Sequence, residues 1–266
     1  MISSSKDTLK MNSSPALFFK RNFGKWRQLF ELLKDKWVEV PFKNGNIRTD
    51  MLLKLSDADL LKFWEDARSF VTEEGQFEHR GWYHLLYRDS FHGKKLMDVG
   101  SGIGIDGLTF AQSGAQVTFV DICSSNLEVI KRLAALLDVQ KVKFHYMTDV
   151  RSLEPLDCDY DVVFAQGSLH HLPFDIVRSE ARALLEHLPA GGRWIQLSYP
   201  KSRWIKEGSK PFDEWGVNTD GYGTPWSEWY DLEKLSALLH PARFDTLLSF
   251  EFCRGDFIWF DLLRKK

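Results

Sequence analysis

Apolar positions along this chain follow two regimes, and the change comes near Lys95. Before it, spacing is helical. Leu17, Phe18, Trp26, Leu29, Phe30, Leu33 and Trp37 predict one or two short helices over 16–40, ending ahead of Pro41. Asn44-Gly45-Asn46 reads as a turn. Ser56-x-x-Asp59 before Leu60, Leu61, Phe63 and Trp64 reads as a capped helix start, and a further helical stretch spans 82–91. After Lys95, short apolar strands alternate with helices. Strands are expected at 96–99, 116–120, 142–146, 160–165 and 192–198, with helices at 105–112, 124–137, 174–187 and 231–239. Two closing strands, 244–252 and 257–263, are joined by Arg254-Gly255-Asp256, too short for a crossover helix, so they form an antiparallel hairpin. The pattern predicts an α/β protein with a doubly wound, mostly parallel seven-stranded sheet behind an N-terminal helical extension.

Three segments follow from this reading: a tail at 1–14, a helical cap at 15–93, and the α/β domain at 94–266 with an aromatic-rich insertion at 199–230. Composition narrows the function. A formal charge of −2 lacks the basic excess that binding to nucleic-acid phosphates demands. Cys123, Cys158 and Cys253 are odd in number and contain no C-x-x-C, which suggests free thiols in a reducing compartment. No apolar run reaches the roughly 20 residues that span a bilayer. A cytoplasmic protein is expected.

Leu96-Met97-Asp98-Val99-Gly100-Ser101-Gly102-Ile103-Gly104 places a glycine-rich loop between a buried strand and a helix, where backbone N–H groups are free to meet a ligand. Asp121 closes the next strand, in position to accept hydrogen bonds from ribose hydroxyls or to cap the following helix. Gly102-x-Gly104-x-x-Gly107 also matches the dinucleotide fingerprint in a displaced register, which keeps an NAD-dependent oxidoreductase as an alternative. The acid-x-Gly-x-Gly-x-Gly spacing resembles the class I S-adenosylmethionine-dependent methyltransferases. So do Asp149 after the third strand, Asp161 to Leu172 around the fourth, and Leu188-Pro189-x-Gly191-Gly192 before the fifth. The resemblance implies a Rossmann-like fold and S-adenosyl-L-methionine as cofactor. It further implies that Gly100, Gly102 and Gly104 shape the loop under the methionine and ribose, and that Asp98 orients the ammonium group. Asp121 would hold the ribose and Ile122 pack on adenine. Asp149 and Val150 would meet the adenine edge, and the Gln166 carbonyl would face the ammonium group.

A hydroxyl acceptor needs help in losing its proton, and a neutral histidine suits that task. His170 and His171 follow the fourth strand, so either is a candidate base; either could instead simply pack the loop. No acidic cluster resembles the metal site of catechol methyltransferases, so no metal is expected. Gln166-Gly167-Ser168-Leu169 replaces the Asn/Asp-Pro-Pro-aromatic motif of planar-amine methyltransferases. The expected activity is methyl transfer to a small-molecule oxygen. A non-catalytic protein that binds the same nucleoside is the alternative from another class. The insertion carries Tyr199, Trp204, Trp215, Tyr222, Trp226, Trp229 and Tyr230, which would either contact the acceptor or form the insertion's own core.

Overall fold

A computed structural model describes residues 29–42, 45–72 and 81–266. The expected tail and the first part of the helical cap lie outside the described residues. A helix, α1, covers residues 29–37. A hairpin of β1 (Glu39–Phe42) and β2 (Gly45–Arg48) follows, then α2 (Thr49–Leu52), α3 (Asp57–Thr72) and α4 (Trp82–Tyr87). Of the turn expected at 44–46, Asn44 lies outside the described residues, and Asn46 pairs with Pro41 in the hairpin. Ser56 caps α3 as its spacing suggested: its Oγ accepts from the Asp59 N–H at 3.2 Å.

From Lys95 the alternation takes the form β3 (Lys95–Val99), α5 (Ile105–Gln112), β4 (Gln116–Asp121), α6 (Ser124–Leu136), β5 (Val142–Tyr146), β6 (Val162–Gln166), α7 (Phe174–Glu186) and β7 (Arg193–Pro200). The insertion contributes α8 (Lys201–Lys206), α9 (Phe212–Asp220) and β8 (Trp229–Tyr230); α10 (Leu232–Leu239), β9 (Phe244–Phe252) and β10 (Phe257–Arg264) complete the chain. The sheet order is β5-β4-β3-β6-β7-β10-β9. Only β10 runs against its neighbours in that series. To the seven expected strands the insertion adds β8, which extends the end of β7 through Tyr199 and Pro200.

Alternation along each strand loads both faces of the sheet. Leu96, Phe119, Phe164 and Trp259 face the layer that holds α3–α6, while Met97, Val163, Trp194 and Phe260 face α7 and α10. The N-terminal region is tied to this core by charge as well as by apolar contact. The Tyr87 hydroxyl donates to Asp261 Oδ2 at 2.8 Å, and Arg193 pairs with the same buried carboxylate.

Candidate active site

The chain leaves β3 for β4 on one side and leaves β6 for β7 on the other. The carboxyl ends of β3 and β6 therefore flank a crevice, the place where open α/β sheets bind ligands. A cavity of about 400 Å³ opens there. Its floor is the loop after β3 packed on the loop after β6. At Gly100 (φ +73°) a Cβ would sit 2.3 Å from the Ser168 Cβ, so only glycine allows this approach.

One half of the cavity is acidic. Asp98 is 2% exposed and its Oδ2 has no hydrogen-bond partner. Burial, followed by the nearby Asp106 and Asp121, pushes its carboxyl well above the ordinary range. Such a group favours a cation or a donor beside it. Both side-chain amide atoms of Gln166, which also lines the cavity, lack partners. Asp106, on the first turn of α5, accepts from the Tyr83 hydroxyl at 2.9 Å and lies 2.5 Å from His84 Nε2.

Asp121 is buried, and burial raises its pKa to about 6 against the pull of its donors. Cys123 N–H reaches Oδ1 at 2.7 Å and Gly102 N–H reaches Oδ2 at 3.2 Å. Asn126 Nδ2 spans both oxygens at 3.3 and 3.2 Å. A carboxylate offers about four lone-pair sites, and with a further backbone donor at Ser101 these contacts fill most of them. Asn126 has a second task. Its Nδ2 donates to the Trp37 carbonyl at 3.1 Å and its Oδ1 accepts from Thr49 Oγ at 2.8 Å, which fastens the N-terminal segment over the cavity. Phe30, Leu33, Trp37 and Val40 of that segment form its roof.

The other half is built around His171, which lines the cavity, while His170 is 0% exposed and is not part of the lining. His171 Nδ1 lies 3.1 Å from the Trp226 carbonyl. A carbonyl only accepts, so Nδ1 carries the proton and Nε2 keeps its lone pair. Burial lowers the His171 pKa, which keeps the ring neutral near pH 7. Nε2 makes no hydrogen bond and stands 3.9 Å from Asp220 Oδ2. The Tyr199 hydroxyl holds the other oxygen of Asp220 at 2.7 Å. The Trp37 ring lies 4.3 Å from the His171 ring. His170 packs in the wall, its Nδ1 3.4 Å from Ser198 Oγ and its ring 4.4 Å from Tyr199. Donor atoms of His170, His171 and Asp220 lie within 4.8 Å of one another, a set that could hold a metal ion.

The structure brings Asp98, Gly100, Gly102, Asp121, Ile122, Gln166 and His171 to one cavity and leaves other expected residues outside it. Asp149 is exposed and caps the turn Val150–Leu153, its Oδ1 accepting from Arg151 and Ser152 N–H at 2.9 and 3.0 Å. Val150 packs against the core layer below α7. Gly104 faces Ile130 of α6, where a Cβ would meet it at 3.0 Å. Gly107, the last glycine of the displaced dinucleotide register, is a packing position: a Cβ would lie 2.3 Å from the Phe119 ring. The insertion's aromatics are mainly its own core. Trp215 is 0% exposed, and Trp204 packs on Phe212 and Trp229 at 5.8 Å. Among them only Tyr199 lines the cavity. Asp220, Asn126 and Asp106 were not anticipated from the sequence.

Comparison with known proteins agrees with this geometry. Residues 96–192 match the family model described as "Methyltransferase domain". Ubiquinone biosynthesis O-methyltransferase of Nitrosospira multiformis is 31% identical over 170 residues, covering 62% of this chain and 66% of that protein. The mitochondrial enzyme of that name from Schizosaccharomyces pombe is 34% identical over 110 residues, covering 41% of this chain and 39% of that protein. The chain thus spans less than two thirds of the length of these relatives. The 1,6-didemethyltoxoflavin-N1-methyltransferase of Burkholderia thailandensis, solved with 1,6-didemethyltoxoflavin and S-adenosylhomocysteine, superposes with a TM-score of 0.53 at 17% identity over 86% of this chain and 95% of that one. Magnesium protoporphyrin IX methyltransferase of Synechocystis, bound to S-adenosylhomocysteine, gives 0.52 at 16% identity over 94% and 97%. At these identities the superpositions establish the fold.

Proposed function

We propose that this chain, whose residues 96–192 belong to the class I S-adenosylmethionine-dependent methyltransferase family, transfers a methyl group to an oxygen of a small-molecule acceptor. The cavity suits the cofactor on its own chemistry: Asp98 Oδ2 and the Gln166 amide are buried and unpartnered where a cationic amino-acid tail would lie. When bound, S-adenosylmethionine supplies a methyl group made electrophilic by its sulfonium sulfur. Asp98 and Gln166 would hold the ammonium group, with Gly100 and Gly102 beneath the methionine and ribose. Asp121 would take one ribose hydroxyl, since its other sites are filled from within the chain. Ile122 would pack on the base.

One observation carries the choice of oxygen. The Trp226 carbonyl accepts from Nδ1, so His171, which lines the same cavity, keeps an unprotonated Nε2. An amine acceptor can attack with its own lone pair, whereas a hydroxyl benefits from a base in that position. His171 takes the hydroxyl proton, Asp220 stabilises the imidazolium that results, and no metal ion is needed. Trp37 and the roof residues exclude competing water. The names of the ubiquinone O-methyltransferase relatives support the same class.

Among the described residues no helix is long and apolar enough to cross a membrane. Three cysteines, odd in number and without a C-x-x-C, support a cytoplasmic setting. The test is S-adenosylhomocysteine formation across matched phenol, catechol and aryl-amine panels. Turnover confined to the hydroxyl acceptors is expected. Binding of S-adenosylhomocysteine without turnover of any acceptor would favour a regulatory role, and NAD binding in its place would overturn the family reading.

A further inference from the structure

The apolar stripe of α7 contains a residue that does not belong to a core. Val177, Ala181, Leu184 and Leu185 are buried at helical spacing, and Glu180 sits among them at 9% exposure. A carboxyl on such a stripe forgoes water and weakens packing, so it is retained where something compensates it. Nothing within the described residues does: Glu180 has no hydrogen-bond or ion-pair partner, and burial alone raises its pKa to about 7. The side chain does line the cavity. The hydroxyl of Tyr230, near enough for Glu180 to raise its pKa, is likewise buried and unpartnered.

We propose that Glu180 is a recognition residue for the acceptor, accepting a hydrogen bond from an ammonium or hydroxyl group that the acceptor carries in addition to the oxygen to be methylated. The placement favours the acceptor over the cofactor. Helix α7 is joined to the insertion, because the Phe174 N–H donates to Glu228 Oε1 at 3.0 Å and the Glu228 N–H donates to the His170 carbonyl at 2.8 Å. Tyr230 also belongs to the insertion, which supplies Asp220 as well. The acidic groups of the nucleoside half come instead from the ends of β3 and β4 and from α5. The proposal names the acceptor class for the site described above and rests on reading that half of the cavity as the acceptor's.

The experiment uses the full chain saturated with S-adenosylhomocysteine and titrated with benzylamine, benzyl alcohol and benzoate in a calorimeter. Wild type is expected to bind the amine and the alcohol at least tenfold tighter than the acid, and Glu180→Gln to lose that preference for the amine. Glu180→Leu, which removes a buried carboxyl, is expected to raise the melting temperature while abolishing amine binding. No binding of the amine or alcohol to wild type, a preference for benzoate, or a preference unchanged in both variants overturns the assignment. So does a loss of S-adenosylhomocysteine affinity in Glu180→Gln with the probe preference intact, which would give the carboxyl to the purine. Failure of the methyl-transfer reading looks different: wild type would then bind no S-adenosylhomocysteine, or would bind it and turn over no acceptor.

Discussion

The two halves of the cavity are built on opposite plans. The nucleoside half comes from short contiguous stretches, 98–106 and 121–126, whose backbone donors converge on one carboxylate before any ligand arrives. The acceptor half is gathered from far apart: Trp37 from the N-terminal segment, His171 and Glu180 from the β6–β7 connection, Asp220 from the insertion. Its His171 Nε2 is buried and unpaired, as are Asp98 Oδ2 and the Gln166 amide where the cofactor's amino-acid tail would lie. A pre-wired half binds a fixed ligand, because its donors and acceptors are already oriented. A half assembled by distant segments gives selectivity, since a ligand that cannot match its open polar atoms must bury them unpaired.

The strongest way to break this comparison is to remove the proposed base. His171→Ala is expected to lower kcat by about 10²–10⁴-fold with S-adenosylhomocysteine affinity unchanged, measured by single-turnover kinetics and calorimetry. His170→Ala should act on stability instead, costing about 1–3 kcal/mol in denaturant unfolding, because it disturbs a fully buried site outside the cavity lining. Equal kinetic effects from both would erase the distinction between cavity residue and wall residue. Zinc offers a second check. An ion held by His170, His171 and Asp220 would take the Nε2 lone pair, so Zn²⁺ should inhibit and chelators should leave turnover intact. Activation by metal would replace the base by a Lewis acid.

Next in size is Asp121→Ala. The proposed bond to a ribose hydroxyl is charge-assisted, so affinity for S-adenosylhomocysteine should fall by about 1.5–3 kcal/mol. The Cys123 and Gly102 N–H groups lose their acceptor in the same step, so the melting temperature should fall as well. A fall in stability with affinity preserved would make Asp121 a structural cap alone.

The same division decides what could be read from sequence. Helix α5 at Ile105–Gln112 and strand β9 at Phe244–Phe252 agree with their expected bounds, because periodicity and glycine placement are local signals. The glycine loop, Asp98 and Asp121 were legible for the same reason. Asp149 shows the limit within the nucleoside half. An acid after a strand can bond its own backbone two and three residues on, and here it does so. Asp220 carries no local signal, since only the path of the insertion brings it to His171. Glu180 did carry one, a charge at a core position of an amphipathic helix, and that signal is visible once the helix is phased.

A smaller effect tests how the pre-wired half is joined to the roof. Asn126→Ala deletes the donor shared by Asp121 and the Trp37 carbonyl and the acceptor for Thr49. Loss of about 1–2 kcal/mol in S-adenosylhomocysteine affinity is expected, with faster amide exchange across 29–49. Thr49→Val, which removes only the hydroxyl, should loosen the same segment with less effect on affinity. Loss of affinity without faster exchange would confine Asn126 to orienting the carboxylate.

The smallest expected effect is on pH, and its sign follows from burial. The Asp121 pKa is raised to about 6, so the carboxylate is ionised above pH 7 and gains its proton as pH falls through 6. The ionised form is the stronger acceptor for a ribose hydroxyl. S-Adenosylhomocysteine affinity should therefore be level from pH 7 to 8 and weaken by about tenfold between pH 7 and 5, the slope of a single proton. His171 also lies in the cavity, but its pKa is lowered and it belongs to the other half. Asp98 is the group that could imitate Asp121, being buried in the same half and shifted in the same direction. Asp121→Asn separates them. If Asp121 carries the proton, the variant binds more weakly and shows a flat profile over this window; a slope that survives in the variant assigns the proton to Asp98 and makes the ammonium contact, rather than the ribose contact, the acid-sensitive one.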